Sequence, residues 1–416
     1  MLLPSEDAFR SFPFIPAQVS QYWRQTVLAT PALWSNVDIS PPWNLSAIQT
    51  YIDKSKESLI DLRLFYDFSS PDEYPSTDSA HSLAHIIQLH YRRCRTIEVS
   101  GVTQTTSAIL VVLESMQHST YPHLRRFLVE GREMAEADHD VLALRDTPML
   151  TDVRLRGMGL HYFRVPLTNV TELHLAPVGF PLSYAAFCTI IQSCSASLIT
   201  LVVYDALVFN LAPSHVYDMP FLRRIHIYGT MIPISELLLS ISAPDLEEIS
   251  IAPYTRGDLV LLEEDIMHKR SPRFPKLKSL TLTLRSTFTE MIESVFDRAE
   301  FCFPGINTLV LPSFDWSLML QCLTNSVVPR WPQLDGVALR ALDDDFDVLH
   351  QFILDRQDAG APIRTLYLDA ESVKKFLVHY EDMRQKVSIV VEADPWLTQQ
   401  SAAFYSEQES RFLGDD

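Results

Sequence analysis

One short pattern returns so regularly along this chain that it constrains the fold before anything else is considered. Apolar residues stand at relative positions 1, 4 and 6 of a brief cassette, often introduced by proline and followed by a turn or a helix-like stretch. The instances are Trp34/Val37/Ile39, Leu59/Leu62/Leu64, Cys94/Ile97/Val99, Leu124/Phe127/Val129, Leu150/Val153/Leu155, Val170/Leu173/Leu175 and Leu198/Leu201/Val203. They continue with Leu222/Ile225/Ile227, Leu246/Ile249/Ile251, Leu277/Leu280/Leu282, Ile306/Leu309/Leu311, Leu334/Val337/Leu339 and Ile363/Leu366/Leu368, and a weaker fourteenth spans Val387 to Val391. Twelve steps from Trp34 to Ile363 give a mean period of about 27 residues, with single steps of 20 to 35. Residues 4 and 6 alternate along a strand and share one face, while residue 1 packs where the strand begins. A single cassette cannot bury that face. Stacked neighbours can, so stability is expected to reside in repeat-to-repeat interfaces.

The stretches between cassettes carry helical periodicity: Ala80 to Tyr91 after Asp78-Ser79, Ile234 to Ile241, Glu290 to Phe301 after Thr287, Leu342 to Arg356 and Ala370 to Tyr380. Proline ahead of the strand, at 122, 148, 220, 244, 275, 304, 332 and 362, marks the helix-to-strand turn. Strand and helix alternating at this spacing predict an α/β leucine-rich-repeat solenoid, a horseshoe with a parallel sheet on its concave face and helices on its convex face. The repeats lack a consistent asparagine after the strand, so they are of an irregular variety. The expected organisation is a helical cap over 1–33, the solenoid over 34–395 and a polar tail over 396–416.

Composition excludes several classes of function. With 47% hydrophobic and 21% charged residues the chain has the make-up of a packed protein. A net charge of −18 argues against a general affinity for nucleic acid or an anionic membrane, and no apolar run nears the roughly 20 residues a membrane span needs. No secretion signal is visible at Met1 to Phe14, and five scattered cysteines without a CxxC suit a reducing compartment, so cytoplasm or nucleus is the expected location. Glycine is rare, at 11 residues, and the one close pair, Gly157 and Gly159, has Tyr162 where a dinucleotide fingerprint needs a third glycine. No nucleophile or P-loop motif appears, so neither an enzyme nor a cofactor is expected.

Ahead of the repeats runs Val19-Ser20-Gln21-Tyr22-Trp23-Arg24-Gln25-Thr26-Val27-Leu28-Ala29-Thr30-Pro31-Ala32-Leu33-Trp34-Ser35. Its residues allow a helix over Ala17 to Ala29 with Val19, Trp23 and Val27 on one face, ended by Thr30-Pro31. The phrase resembles the second half of an F-box of the kind abundant in mushroom-forming fungi, where V-C-x-x-W-R-x-I-A-x-x-T-P-x-L-W-S leads into leucine-rich repeats. Val19, Trp23, Arg24, Thr30, Pro31, Leu33, Trp34 and Ser35 match, and Ser20 replaces the usual cysteine. Leu3 to Pro16 reads as the loop between F-box helices, which makes the F-box N-terminally incomplete. The resemblance implies docking on the Skp-type adaptor of a cullin ubiquitin ligase, with the repeats holding a protein substrate for ubiquitination. The alternative is a scaffold or decoy whose remnant F-box only caps the solenoid.

With positions 1, 4 and 6 turned inward, positions 3, 5 and 7 face outward from the sheet. The middle repeats there display Arg154, Arg156, His174, Tyr204, Arg224, His226 and Tyr228, a basic and aromatic cluster on an acidic protein. Arginine and tyrosine dominate interface energetics, so this cluster is a candidate surface for an acidic or phosphorylated substrate segment. His81 and His85, four apart on a predicted helix, lack a third metal ligand, and the acidic run Asp343 to Asp345 reads as compensation at a helix N-terminus. No metal is expected.

Overall fold

A computed structural model describes residues 14–40, 43–66, 75–102, 107–117, 119–131, 142–157, 160, 163–177, 182, 184–204, 216–229, 232–254, 257–284, 289–311, 316–324, 329–339, 346–368, 372–374 and 386–391. It divides into two compact units, Met1–Ala243 and Pro244–Asp416, a division that falls inside the stretch read as one solenoid.

In the first unit the strands are β1 (Asn36–Ile39), β2 (Ile60–Phe65), β3 (Cys94–Val102), β4 (Arg126–Gly131), β5 (Leu142–Ala143), β6 (Asp152–Gly157), β7 (Phe163–Arg164), β8 (Glu172–Ala176), β9 (Thr200–Tyr204), β10 (Tyr217–Asp218), β11 (Arg224–Tyr228) and β12 (Ile241–Ser242). The order β1-β2-β3-β4-β6-β8-β9-β11 forms a parallel sheet, beside which β5 pairs with β7 and β10 with β12. Helices α1 (Phe14–Val19), α2 (Gln21–Ala29), α3 (Leu45–Ser55), α4 (Thr77–Gln88), α5 (Ser107–Glu114), α6 (Tyr184–Cys194) and α7 (Ile234–Leu239) precede or separate the strands.

The second unit repeats the scheme. Strands β13 (Glu248–Tyr254), β14 (Ser279–Leu284), β15 (Thr308–Leu311), β16 (Gly336–Leu339), β17 (Thr365–Leu368) and β18 (Ser388–Val391) pair in parallel and in chain order. Between them lie α8 (Val260–Lys269), α9 (Thr289–Cys302), α10 (Trp316–Thr324) and α11 (Phe346–Asp358).

The cassette reading accounts for the core. Every residue of the thirteen cassettes is buried except Leu59, which is half-buried beside the inward Ile60. At several cassettes the proline ahead of the strand sits in a tight turn in which the amide of residue 1 donates to the carbonyl three residues earlier. Leu124 donates to Tyr121, Leu150 to Thr147, Leu222 to Met219 and Leu277 to Phe274, all at 3.2 Å. Proline is preset for the second place of such a turn. Each strand then starts on its neighbour, as when the Asp152 amide donates to the Arg125 carbonyl at 3.0 Å and the Thr308 amide to the Lys278 carbonyl at 3.0 Å. The weak fourteenth cassette lies on β18, where Ile389 and Val391 pair with Leu366 and Leu368.

Several boundaries differ from the sequence reading. The helix expected to run to Ile241 ends at Leu239, because Ile241 is taken by β12 in its pairing with β10. Ser76, not Asp78 or Ser79, caps α4: its hydroxyl accepts from the Ser79 amide at 3.2 Å. The helix expected over Leu342 to Arg356 is described from Phe346, and that over Ala370 to Tyr380 only at 372–374. Asp343 to Asp345, Thr287, Gly159, Tyr162 and the polar tail lie outside the described residues. Among those described, no helix is long and apolar enough to cross a membrane, and all five cysteines are free.

Candidate functional site

The N-terminal phrase folds as two helices where one was expected. Ser20 is extended (φ −158°, ψ 168°) and breaks the run, and its hydroxyl accepts from the Trp23 amide at 3.2 Å to start α2. Serine at this place favours the cap over helix continuation. The Arg24 side chain ties the pair together by donating from Nε to the Ala17 carbonyl at 3.0 Å. Thr30 closes α2, and Pro31 opens a short 3-10 turn over Pro31–Trp34, in which Leu33 is half-buried.

The expected common face of Val19, Trp23 and Val27 does not turn inward as a unit. Val27 is buried at 1% exposure, whereas Val19 is 67% and Trp23 49% exposed, with Tyr22 at 73% beside them. Trp34 covers the start of the core: it is buried, stands edge-on to Tyr51 with ring centres 5.2 Å apart, and donates from Nε1 to the Val27 carbonyl at 2.9 Å. One tryptophan of the phrase therefore serves the core and the other faces outward. Tyr22, which the sequence reading passed over, belongs to the outward set.

On the sheet of the same unit, register brings the predicted cluster together. One outward row runs Arg154, His174, Val202, His226 across β6, β8, β9 and β11. The next holds Arg156 beside Ala176 and Tyr204 beside Tyr228. The arginines are threaded through acids at the other outward positions. Arg154 reaches Asp152 at 3.1 Å and Glu172 at 2.9 Å, Arg126 reaches Asp152 at 2.6 Å, and Arg156 pairs with Glu130. His174 Nε2 lies 2.8 Å from Glu172 Oε1. The cluster is thus a ladder of alternating charge rather than a plain basic patch. Counting positions places Asp152, Glu172 and Glu130 on this face as readily as Arg154; only strand register shows that they pair. Arg224 is exposed and donates from Nε to the Thr200 hydroxyl at 3.0 Å.

Three aromatic rings stand at the β9–β11 end of this face. Tyr204 stacks on Tyr228 with centres 5.2 Å apart, and His226 lies parallel to Tyr228 at 6.2 Å. Burial pushes the His226 imidazole down to about 4, helped by the positive charges of His174 and Arg224. The hydrogen bond from His174 holds Glu172 down at about 2, against the opposing effect of its partial burial and with help from Arg154 and Arg126. Both shifts make the folded state bind protons less readily than the unfolded chain, so both stabilise at neutral pH and fail on acidification. The His226 contribution is lost as pH falls from 6.5 towards about 4, and that of Glu172 from 4.5 towards about 2. In pH-dependent denaturation, His226→Gln is expected to flatten the upper of these two windows and Glu172→Gln the lower. A slope unchanged in both variants would contradict the assignment.

Donor atoms of Asp152, Glu172 and His174 gather within 4.8 Å of one another, a metal-compatible spacing. The Arg154 and Arg126 guanidinium groups already stand against these carboxylates, so the cluster is read as an ion-pair ladder. His81 and His85 are both exposed on α4.

No family model and no curated protein matches the chain. Among solved structures, a crystal structure of a protein from Bacteroides fragilis covers 82% of this chain and 77% of that chain at 14% identity, with a TM-score of 0.28. A likeness that slight carries no argument about what the chain does.

Proposed function

We propose that this chain is a fungal-type F-box protein with leucine-rich repeats, a non-catalytic receptor that recruits a target protein to a cullin-based ubiquitin ligase. In this reading α1 and α2 dock the Skp-type adaptor, and the parallel strands line the concave face of a horseshoe that holds the target. The observation that carries the proposal is the outward set Val19, Tyr22 and Trp23: apolar and aromatic side chains on two helices, in the segment that bears the F-box phrase, turned away from the core. Large exposed apolar side chains gathered in one place mark interaction surfaces. The core does not need them, because Val27 and Trp34 already cover its first layer.

The same covering role of Val27 and Trp34 favours the second reading, a scaffold or decoy in which the remnant F-box only caps the repeats. The two separate on one experiment. The full chain is expected to co-elute with a purified Skp-type adaptor on size exclusion. Val19→Glu combined with Trp23→Glu should weaken the complex by about 30-fold or more, the scale of losing an interface hot spot. Absence of co-elution, or a complex indifferent to both substitutions, favours the scaffold.

On the target side, the ladder displays arginines in rows an extended segment could follow. Separate acidic or phosphorylated side chains of the target are expected to meet Arg224 and Arg126, exposed arginines that stand four strands apart on this face.

A further inference from the structure

Five serine or threonine residues stand directly before a proline: Thr30, Ser40, Ser70, Thr147 and Ser271. The pairs at Ser40 and Ser70 lie partly or wholly outside the described residues. Of the other three, Thr30 donates its hydroxyl to the Thr26 carbonyl at 2.7 Å, and Thr147 is buried while its carbonyl accepts from the Leu150 amide. Ser271 differs from both. It is exposed, as is Pro272, and neither residue makes a hydrogen bond through side chain or backbone among the described residues. Helix α8 ends at Lys269, Arg270 follows in the left-handed region (φ 53°), and the turn that opens β14 starts at Phe274, whose carbonyl accepts from the Leu277 amide. Ser271 and Pro272 are thus an untied link between a helix and a turn. The charge around them is also unusual for this acidic chain: Lys269, Arg270, Arg273, Lys276 and Lys278 stand in ten residues without an acid. Lys269 and Arg273 share Asp265, at 2.7 Å and 3.9 Å, whereas the exposed Arg270 has no ion pair among the described residues.

We propose that Ser271 is a phosphorylation site for a proline-directed serine/threonine protein kinase. The Ser271 Oγ attacks the γ-phosphorus of ATP and forms the new O–P bond. The bond from that phosphorus to the β,γ-bridging oxygen breaks, ADP leaves, and the hydroxyl proton passes to the kinase's catalytic carboxylate. A kinase takes its acceptor residue as an extended segment, and the ring of Pro272 already pushes Ser271 towards extended backbone. Drawing this link into a cleft breaks no hydrogen bond, whereas Thr30 and Thr147 would each have to give up bonds or burial. Pro272 has no N–H, so the enzyme must be one that asks for no hydrogen bond from the residue after the acceptor, which sets its class. The product is also tolerated here. A phosphate adds a charge of about −1.5 to −2 to a protein that already carries a net −18. The C-terminal end of α8 opposes an anion at this place, and Lys269, Arg270 and Arg273, all within two residues of Ser271, offset it. The inference rests on neither the adaptor nor the target reading of the proposed function.

The test incubates the full folded chain with magnesium ATP and, in separate reactions, a purified cyclin-dependent and a purified mitogen-activated kinase, and locates the phosphate by peptide mass spectrometry. Phosphate is expected on Ser271 with at least one of the two enzymes, and Thr147 should stay unmodified. Ser271→Ala should lose that phosphate. Pro272→Ala keeps the hydroxyl but should slow modification of Ser271 by at least about tenfold, the scale of losing one pocket contact. Thermal unfolding of both variants checks that these exposed substitutions leave the fold intact. No phosphate on Ser271 with either kinase, while a standard peptide substrate is modified in the same tube, would overturn the proposal. Modification of a folded Pro272→Ala variant at the parent's rate would overturn the assignment to a proline-directed enzyme. Loss of adaptor co-elution would leave these results untouched, so the two readings fail separately.

Discussion

Replacing Arg356 by alanine is expected to cost about 3–5 kcal/mol of folding stability. The side chain sits in the last turn of α11 with 2% of its surface exposed. It donates from Nε to the Ala361 carbonyl at 3.0 Å, from Nη1 to Arg330 at 2.6 Å, and from Nη2 to Trp331 at 3.1 Å and Leu334 at 3.3 Å. These carbonyls belong to the chain turning from α11 towards β17 and to the turn that opens β16, so one guanidinium staples two successive repeats. Burial lowers its pKa and Glu300 opposes that shift, yet a guanidinium stays charged in any protein interior. Truncation takes this donor from the Ala361, Arg330 and Leu334 carbonyls, at about 1–3 kcal/mol for each buried acceptor left unpaired, while the Trp331 carbonyl keeps the Leu334 amide at 2.8 Å. Arg356→Lys should recover little, because an ammonium cannot span carbonyls that a planar fork reaches together. Urea unfolding, with amide exchange over residues 329–339 as the local readout, measures the effect. A loss under about 1 kcal/mol would show that water replaces the guanidinium without penalty.

The two tryptophans of the N-terminal phrase should respond in opposite ways. Trp34→Ala is expected to cost about 3–5 kcal/mol, the usual range for emptying a buried aromatic site. It removes the contact with Tyr51 and the only side-chain hydrogen bond described to the Val27 carbonyl. Trp34→Phe keeps most of the volume and should cost about 1 kcal/mol, mainly for that bond. Trp23→Ala should cost less than about 1 kcal/mol, because nearly half of the side chain already faces water. Chemical denaturation of the three variants checks the contrast. Equal losses at Trp23 and Trp34 would place both in the core and remove the main support for a docking face.

The cassettes were legible because a period of about 27 residues with fixed inward positions leaves a chain few ways to bury its apolar face. Strand pairing then follows in chain order, and burial at positions 1, 4 and 6 follows from strand alternation. What the sequence hid were features set by neighbours rather than by position. The cassette already set Trp34 inward, but nothing local turned Trp23 outward while Val27, one turn further along the same helix, is buried. Arg356, in the last turn of a helix, looks like ordinary compensation of the helix dipole until the turn carbonyls of the preceding repeat are seen around it. The sheet face looked basic because Arg154, Arg156 and Arg224 stand out in an acidic chain. Glu130, Asp152 and Glu172 convert it into a ladder only once the strands are in register. Ser76 displaced Asp78 and Ser79 as the cap of α4 for the same kind of reason, since any of the three could accept from a first-turn amide.

In the proposed function the first two helices form the docking face for the adaptor. Hydrogen–deuterium exchange of the full chain, alone and with a saturating Skp-type adaptor, tests it directly. Protection confined to residues 14–29 is expected, with strands β6 to β11 unchanged and still available to a target. Exchange that is unaltered over 14–29, or protection that falls on the sheet face instead, would contradict it.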